Sequence, residues 1–572
     1  MIRSVLHRLR HLPWLLSGVL LFACYPPVGR HAYIVFALAP MLLMVRFRAP
    51  GFCFRWCFLS GFLFWFTTLK WLLTLKDMLG NPTILVLLGW AALAAYCALY
   101  FGLFGWLAAH VWTWVRTRGP GWRLAAILVA EPVLWAGLEL VRSRLFSGFA
   151  WNHLGTVPVA MGYGAPAALG GVYLLSMLVV LANGSVASIL ARVWRSYADL
   201  RRAQLGEEVA PHPVPRWLQS VETLLPFAAV FAVFFAARAT VSSHMVSGEQ
   251  ISVALFQRNF PPPFTDPRRA EAVNAGTEGR VEYARMAEGV KGFRPTLLVM
   301  SESAMGEVAG PLDGPRAQAF AEDLMARSGA AAVLSGGAWS PGGGTNYNSA
   351  ALYTADAPLQ IYDKVHLVPF GEYVPGASVF PALRNLLPMP VCTPGELRTL
   401  DFTLASSVPG IPDQTVPLGV GICYEDTDSA LMRRMAAAGA RLLVFITTDS
   451  WFYGTEEPAQ HAWQSVARAI ATGLPVVRVG NYGVTGFVDP HGTVGRQCRA
   501  RWLAHPDGRL KVDARERMVC DVTLASSLAD LTRTPYVRWG DAPLFAAFLL
   551  LIFTMGVVKY WNDYEQRRQL SL

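Results

Sequence analysis

Long apolar runs, separated by short basic segments, fill the first 240 residues of the chain and return near its C-terminus. Runs of about 20 apolar residues are long enough to cross a hydrocarbon core roughly 30 Å thick. The runs lie at 12–28, 31–46, 51–73, 82–112, 122–141, 165–190, 223–239 and 541–559. This pattern predicts an α-helical transmembrane bundle of about eight spans. The second run is short, and the fourth predicts a helix that is tilted or broken at Gly102 and Gly105.

Arginines predict the orientation of these spans. They cluster before the first run and after the second, fourth and sixth runs: Arg3, Arg8, Arg10; Arg46, Arg48; Arg116, Arg118, Arg123; Arg192, Arg195, Arg201, Arg202. Because short basic loops stay on the cytoplasmic side, both termini are expected inside and the segment before the last span outside. We expect the first run to be retained rather than cleaved as a signal peptide, since no small-residue cleavage site follows it.

Short apolar runs alternate with helical patterns after residue 240. The runs at 251–256, 296–300, 331–335, 418–422, 442–447 and 476–480 predict strands. The stretches 267–290, 315–328, 428–438 and 459–472 predict helices. Such alternation predicts a layered α/β domain. The chain is therefore divided into a membrane bundle at 1–240, an extracytoplasmic domain at 241–540, and a final span with a cytoplasmic tail at 541–572.

The composition agrees with a chain that lies partly in lipid and partly in water. Of 572 residues 53% are hydrophobic and only 15% are charged, which is too apolar for an ordinary soluble enzyme. The net charge of +10 would suggest nucleic acid in a soluble protein, but the bias of basic loops toward one side and contact with anionic lipid explain it here. No phosphate-cradling glycine motif is present, so no nucleic-acid partner is expected.

The cysteines do not predict a metal site. Cys24, Cys53, Cys57 and Cys97 lie in predicted spans and are expected to pack there. Cys392, Cys423, Cys498 and Cys520 show no CxxC pair and no metal-ligand spacing. An oxidising compartment would permit a disulfide among Cys392, Cys498 and Cys520, and the pairing is left open.

Three candidate reactive residues each follow an apolar run: Glu302 in TLLVMSESAM, Lys364 in IYDKVHLVPFGEYVP and Cys423 in PLGVGICYEDT. A thiol, a carboxylate that can carry its proton and a lysine that can hold an oxyanion are what acyl transfer through a thioester requires. Taken singly, each has a plainer interpretation: a helix cap or loop acid, a surface lysine and a buried cysteine. Their occurrence together and in this order favours a catalytic site.

These segments resemble the carbon-nitrogen hydrolase (nitrilase) superfamily, whose triad is Glu, Lys and Cys. DSWF at 449–452 and NYGVTG at 481–486 add to the resemblance. More narrowly, HLVPFGEYVP, ICYED and the eight-span frame resemble the apolipoprotein N-acyltransferase family of the bacterial inner membrane. The segment 135–155 is similar to that family's link between its fifth and sixth spans. The resemblance implies a nitrilase-like four-layer α-β-β-α sandwich for the extracytoplasmic domain.

The resemblance also implies a two-stage reaction without metal or other cofactor. Cys423 would attack the sn-1 ester of a phospholipid, and the amine of a diacylglyceryl apolipoprotein would then take the acyl chain from the thioester. Glu302 would act as general base and acid, and Lys364 would stabilise the oxyanion and lower the pKa of the thiol. Glu372 would support the site, with a solvated loop acid as its plainer interpretation, and Tyr424 and Glu425 would shape the pocket.

Two loops and one charged group carry further expectations. FPPPF at 260–264 and LVPF at 367–370 are apolar enough to touch the membrane, with ordinary loop packing as the alternative. The charged residues Glu131, Glu139 and Arg142 lie in or near predicted spans and are expected to orient the neighbouring interfacial segment. The predicted spans contain no run of paired intramembrane charges, and this argues against a transporter.

The sequence also departs from the family pattern. A tryptophan usual after the first domain strand is missing, and Phe264 is the aromatic residue nearby. Thr448 replaces an asparagine and Tyr453 a glycine, while Ala471 and Leu474 stand where a glutamate and an arginine are common. Two other functions stay open: a membrane-anchored amidase or nitrilase-type hydrolase, and a non-catalytic membrane scaffold or lipid-binding protein.

Overall fold

The computed structural model describes residues 12–78, 83–207, 215–243, 249–259, 277–341, 344–377, 379–380, 391–405, 412–495, 516–525 and 534–570. Its first half is helical: α1 Leu16–Cys24, α2 Ala39–Phe47, α3 Pro50–Thr68, α4 Leu75–Met78, α5 Thr83–Val115, α6 Pro120–Ala125, α7 Glu131–Arg142, α8 Thr156–Ala160, α9 Ala167–Gln204 and α10 Arg216–Ser243. A π-helical turn at Ala126–Ala130 joins α6 to α7.

Two sheets form the centre of the domain that follows. The first has the order β11-β1-β2-β3-β4-β5 and the second the order β10-β9-β8-β7-β6. The strands are β1 Gln250–Gln257, β2 Leu297–Met300, β3 Ala332–Trp339, β4 Tyr347–Thr354, β5 Gln360–Asp363, β6 Leu400–Leu404, β7 Gln414–Ile422, β8 Leu442–Thr448, β9 Val476–Asn481, β10 Gly486–Val488 and β11 Glu516–Thr523. All six predicted strands are confirmed, and the other five were not predicted.

The domain helices are α11 Thr277–Val290, α12 Ala304–Ala309, α13 Pro315–Ser328, α14 Ser429–Ala437 and α15 Glu457–Thr472, followed by α16 Pro535–Trp539 and α17 Ala542–Leu570. Four of them confirm the predicted helical stretches, although residues 267–276 of the first stretch lie outside the described residues.

Strand alternation produces the layers of this domain. In β1, Val253 and Leu255 enter the core between the sheets, whereas Ala254 and Phe256 pack with the helices on the outer face. In β7, Gly419 and Gly421 face the other way and leave room for Met435 and Met432 of α14. The resulting order of helix, sheet, sheet and helix confirms the predicted α/β class.

Five described helical segments are long and apolar enough to cross a membrane: Thr83–Val115, Pro120–Arg142, Ala167–Gln204, Trp217–Val241 and Ala542–Glu565. The other three predicted runs correspond to the shorter apolar segments Pro13–Cys24 and His31–Phe47 and to α3. The structure thus confirms several apolar helices of membrane-spanning length but does not confirm the count of eight.

The fourth run was predicted to be tilted or broken; helix α5 is continuous, so a break at Gly102 and Gly105 is wrong. A Cβ atom added at Gly105 would lie 2.4 Å from Sγ of Cys57, and one at Gly102 would lie 3.0 Å from the ring of Phe54. Both contacts belong to α3. The glycines therefore allow two helices to pack closely, which is their common use between membrane helices.

The segment between α7 and α8 joins the bundle to the domain. Glu139 Oε1 accepts hydrogen bonds from Trp135 Nε1 and Leu154 N, both at 3.0 Å. Arg142 Nη1 donates to the carbonyl oxygens of Phe149 and Trp151 at 2.6 and 3.0 Å. These two residues orient the segment as expected. The expectation was wrong for Glu131, which instead forms a buried ion pair with Arg46 at 2.8 Å, because its position on α7 faces α2.

The cysteines of the predicted spans are buried free thiols, as expected, and those of the domain differ from one another. Cys24, Cys53, Cys57 and Cys97 are buried free thiols within the bundle. Cys520 is disulfide-bonded and Cys392 is a free thiol, while Cys498 lies outside the described residues.

Candidate active site

Three strand ends bring the candidate triad together. Glu302 follows β2, Lys364 follows β5 and Cys423 follows β7, so the first two come from one sheet and the third from the other. Glu302 and Lys364 are buried, with 4% and 1% of their surface exposed, whereas Cys423 is partly exposed. The charges of Glu302 and Lys364 both act on the Cys423 thiol. The site is therefore a shielded group of charges beside a partly exposed cysteine residue.

One amide group links the two carboxylates of the site. Asn348 Nδ2 donates to Oε1 of Glu302 at 2.8 Å and to Oε1 of Glu372 at 2.6 Å. Lys364 Nζ lies 2.8 Å from the same oxygen of Glu372 and 3.9 Å from Oε1 of Glu302. Val368 N donates to the second oxygen of Glu372 at 2.8 Å. Glu372 is thus held from three sides and in turn fixes the lysine.

The two carboxylates differ in their electrostatic setting. Burial raises the pKa of Glu302, and the negative charge of Glu372 adds to this while Lys364 opposes it. Burial alone would also raise the pKa of Glu372, but the close Lys364 ammonium lowers it below its ordinary value. Burial alone would lower the pKa of Lys364, but Glu372 and Glu302 raise it. Glu372 therefore keeps the lysine charged, and Glu302 is the acid that can exchange a proton.

One carboxylate oxygen of Glu302 accepts no hydrogen bond from the described residues. Its Oε2 atom is buried and has no hydrogen-bond partner among the described residues. Native proteins seldom leave a buried oxygen in this state unless the site uses it. This oxygen is available to accept a proton from a thiol or an amine.

Cys423, the candidate nucleophile, lies on a strained backbone. Cys423 has a φ of 52°, a left-handed conformation that costs a non-glycine residue about 1–2 kcal/mol. Burial and the charge of Glu302 raise the pKa of its thiol well above the ordinary value, and Lys364 opposes them. The expectation that Lys364 lowers the thiol pKa is thus right in sign, but burial outweighs it. The thiol rests protonated and needs a base when it reacts.

Glu425 holds the turn that carries Cys423. Its carboxylate accepts hydrogen bonds from Ile422 N at 2.8 Å, Val365 N at 2.7 Å and His366 N at 3.0 Å. The Tyr362 hydroxyl donates to it as well, at 2.9 Å. Burial raises the pKa of Glu425 to about 7, although these backbone donors lower it. The residue is fully buried and ties the nucleophile turn to the loop that carries Lys364.

Tyr424 connects the site to the membrane bundle. Its ring stacks on Trp151 with the centroids 6.4 Å apart, and its hydroxyl lies 3.5 Å from the carbonyl oxygen of Gly148. Trp151 Nε1 in turn donates to Gln460 Oε1 of the domain at 2.8 Å. Aromatic side chains line a cavity that reaches this segment at Asn152 and Leu154, and they include Phe64, Trp65, Tyr100, Phe101, Phe104 and Trp135.

Behind the nucleophile lies an ion-pair network that the sequence did not predict. His461 Nδ1 lies 2.8 Å from Asp449 Oδ1, and His461 Nε2 lies 3.0 Å from Asp426 Oδ1 and 3.3 Å from the carbonyl oxygen of Cys423. Arg478 bridges the same two aspartates at 2.6 and 3.2 Å. Burial alone would lower the pKa of His461, but Asp426 and Asp449 raise it to about 10. A charged imidazolium thus supports the backbone of the nucleophile.

Asp449, Glu457 and His461 could together offer ligand atoms to a metal ion. In this structure, however, those atoms belong to ion pairs, because His461 Nδ1 faces Asp449 and Arg478 faces the same aspartate. The contacts therefore favour a structural role for the group.

The residues that depart from the family pattern are accommodated locally. Thr448 bonds to Ser450, with the two hydroxyl oxygens 3.0 Å apart, and Tyr453 packs on Tyr482 with centroids 4.7 Å apart. Ala471 and Leu474 are buried. Phe264 lies outside the described residues, as does the FPPPF loop. In the LVPF loop, Phe370 is 58% exposed whereas Val368 packs against the bundle.

Comparisons with known proteins match both halves of the chain. The sequence model of the apolipoprotein N-acyltransferase N-terminal domain matches residues 17–185, and that of carbon-nitrogen hydrolase matches residues 292–504. A protein of Geobacter metallireducens named apolipoprotein N-acyltransferase is 31% identical over 84% of this chain and 85% of its own length. One of the same name from Nitrosomonas europaea is 28% identical over 95% of both chains.

Solved structures also align with part of this chain. An amidase of the nitrilase superfamily from Nesterenkonia AN1 aligns with 18% identity and a TM-score of 0.34, covering 52% of this chain and 96% of the amidase.

Proposed function

The chain belongs to the apolipoprotein N-acyltransferase family, and we propose that it moves an acyl chain from a phospholipid, through a thioester on Cys423, to apolipoproteins. The acceptor is the N-terminal amine of the diacylglyceryl cysteine. The observation that carries the proposal is the unpartnered Oε2 of Glu302 beside a protonated thiol and a charged lysine.

In the first stage, Glu302 takes the proton of the Cys423 thiol as its sulfur attacks the carbonyl carbon of the lipid ester. The carbonyl oxygen becomes an oxyanion, which the Lys364 ammonium stabilises, with help from the backbone amide of Tyr424. The carbon–oxygen ester bond then breaks. Glu302 returns its proton to the leaving alkoxide, so a lysophospholipid departs and the acyl chain stays on sulfur.

In the second stage, the amine of the diacylglyceryl cysteine attacks the thioester carbon. Glu302 accepts a proton from the attacking amine, and Lys364 stabilises the second oxyanion. The carbon–sulfur bond breaks and the sulfur recovers its proton from Glu302. The enzyme returns to its first state, and the lipoprotein carries a new amide.

The membrane contacts of the site support a lipid donor. Tyr424 belongs to the same apolar cluster as the bundle helices, and the aromatic cavity reaches the segment that carries Trp151 at Asn152 and Leu154. Val379 and Phe380, shortly after Glu372, are 71% and 65% exposed. An acyl chain can therefore stay in apolar surroundings while its ester reaches Cys423.

We place the protein in the bacterial inner membrane with residues 241–540 on the periplasmic side. Two features support this orientation: the basic segments before and between the spans, and the disulfide-bonded Cys520 of β11, since stable disulfides need an oxidising compartment. The division into 1–240, 241–540 and 541–572 follows the end of α10 at Ser243 and the start of α17 at Ala542. Both termini are then cytoplasmic.

A peptide-transfer assay tests the proposal. The purified chain in detergent receives phosphatidylethanolamine and a synthetic peptide whose N-terminal cysteine carries diacylglycerol. We expect the peptide to gain one acyl chain, and a matched peptide with an acetylated N-terminus to gain none. Release of free fatty acid at the same rate with or without the peptide would instead identify a hydrolase. The carbon-nitrogen hydrolase match at residues 292–504 is the reason for testing this alternative.

A further inference from the structure

Arginines from several separate segments of the bundle converge on one cavity. Its lining includes Arg46, Arg116, Arg123, Arg192, Arg195 and Glu222. These arginines come from α2, α6, α9 and the end of α5, and they belong to the basic segments that the sequence places on the cytoplasmic side. Distant parts of the chain therefore build one basic site.

This cavity is separate from the candidate active site. Helix α5 contributes Tyr100 to the aromatic cavity near Trp151 and Trp112 to the arginine-lined cavity. The helical stretch between them spans about 18 Å at 1.5 Å per residue. A ligand of the arginine cavity would not touch Cys423.

The acids near this cavity, counted over the described ranges of the chain, do not match its positive charge. Arg46 donates two hydrogen bonds to Glu131 at 3.0 and 2.8 Å, and Arg123 donates two to Glu222 at 2.7 and 3.2 Å. Asp199, one turn beyond Arg195 on α9, is the other acid whose charge reaches Arg195. The five lining arginines thus outnumber these three acids by two.

The remaining donors face neutral groups. Arg192 donates to the hydroxyl of Thr223. Arg116 donates to the carbonyl oxygen of Trp112 and the hydroxyl of Thr113, both at 3.2 Å. Arg195 is half-buried and forms no ion pair within 4 Å among the described residues. Guanidinium groups held in this way recognise a phosphate with paired hydrogen bonds.

The surroundings of the cavity indicate where such a phosphate would come from. Trp194 and Tyr197, which flank Arg195 on α9, are 73% and 60% exposed. Exposed tryptophan and tyrosine are enriched at the level of lipid headgroups, and basic pockets between membrane helices on the cytoplasmic side bind anionic headgroups. We propose that this arginine cavity binds a phosphate group, supplied in the membrane by the phosphodiester of an anionic phospholipid.

Thermal unfolding of the full chain in detergent tests the site. Phosphatidylglycerol, added at about 100-fold excess over its Kd, is expected to raise the Tm by a few degrees, whereas phosphatidylcholine is not. Arg195→Gln should reduce this shift and Arg192→Gln with Arg195→Gln should abolish it. Arg202→Gln, an exposed arginine further along α9, is the matched control and should keep it.

Inorganic phosphate at equal ionic strength forms a separate arm. A shift with inorganic phosphate that equals the lipid shift, and that the double variant loses, would identify a soluble phosphate as the occupant of the same site. Native mass spectrometry supplies a second measurement, in which one retained phosphatidylglycerol is expected on the wild type and on Arg202→Gln but not on the double variant. Equal shifts and equal retention in the wild type and the double variant, or a shift with phosphatidylcholine as large as with phosphatidylglycerol, would overturn the proposal.

Discussion

Nζ of Lys364 lies 2.8 Å from Oε1 of Glu372. This ion pair is almost completely shielded from solvent, and it fixes a charge that the candidate reaction needs in one place. The more distant Glu302 carboxylate, at 3.9 Å, is left with one oxygen that has no hydrogen-bond partner in the part of the chain that the structure describes. Lys364 thus pairs with Glu372, which stays ionised, and also lies near Glu302, which the candidate reaction requires to gain and lose a proton.

Replacement of Glu372 tests this division of roles. Glu372→Gln keeps the size of the side chain but removes the charge that anchors Lys364, so the lysine is free to shift. A misplacement of about 1 Å costs on the order of 100-fold in rate, and we expect a loss of that size in acyl transfer. Steady-state assays measure it, with the exposed Glu396→Gln as control. A transfer rate unchanged in Glu372→Gln would mean that Lys364 needs no anchor.

The pH dependence of acylation reports on Glu302. A base works only when deprotonated, and burial and Glu372 raise the pKa of this carboxyl above its ordinary value of 4.5. The acylation rate should therefore rise with pH, with a midpoint above 4.5, and Glu302→Gln should abolish this limb and lower the rate by about 100- to 10,000-fold.

Removal of a neighbouring negative charge should move the same midpoint. In Glu372→Gln, the midpoint is expected at a lower pH than in the wild type, because one charge that raises the pKa of Glu302 is gone. Single-turnover acylation across the pH range measures both effects. An unshifted midpoint in Glu372→Gln would assign the limb to another group.

Tyr424 is expected to act through its ring rather than its hydroxyl. The hydrogen bond from the hydroxyl to the carbonyl oxygen of Gly148 is long, at 3.5 Å, whereas the ring stacks on Trp151. Tyr424→Phe should therefore retain most activity, while Tyr424→Ala should lower the free energy of unfolding by about 3–5 kcal/mol and raise the KM for phospholipid. Denaturation and initial-rate measurements on both variants check this. Equal loss in the two variants would assign the role to the hydroxyl.

His461 is expected to be a positioning residue. Both of its nitrogens are engaged by aspartates, and its loss leaves buried negative charge uncompensated, which costs about 3–5 kcal/mol of stability. His461→Gln should also lower kcat with little change in KM, because it withdraws support from the Cys423 carbonyl. The rate of alkylation of Cys423 by iodoacetamide should change in the same variant, and the 41%-exposed His491→Gln should behave like wild type. Normal kcat and alkylation in a less stable His461→Gln would restrict the network to folding.

Local patterns predicted the triad and the central strands because these residues carry strong local signals. The strands β1, β2 and β8 are largely apolar and buried along most of their length, and Glu302 and Cys423 stand just after apolar runs of this kind. Strand β4 was missed because Tyr347, Asn348 and Ser349 open it with polar side chains. Asn348 was missed with it, although it links the two site carboxylates.

Long-range pairing explains the other failures. Strand β11 comes from residues 516–523 and pairs with β1, where Cys520 stands opposite Val253, and no local pattern specifies that partner. The Asp426, His461 and Arg478 network forms for the same reason only when α15 and β9 meet behind Cys423. Gly102 and Gly105 suggested a break because a sequence does not show the neighbouring helix that their small size admits.

Covalent capture of the intermediate tests the central claim directly. The purified chain is mixed with phospholipid alone, and intact mass spectrometry compares it with Cys423→Ala and, as a matched cysteine control, Cys392→Ala. We predict one added acyl chain on the wild type and on Cys392→Ala, removable by hydroxylamine and discharged by the diacylglyceryl peptide, and none on Cys423→Ala. An adduct that persists in Cys423→Ala, or peptide acylation that proceeds without any adduct on Cys423, would contradict the account.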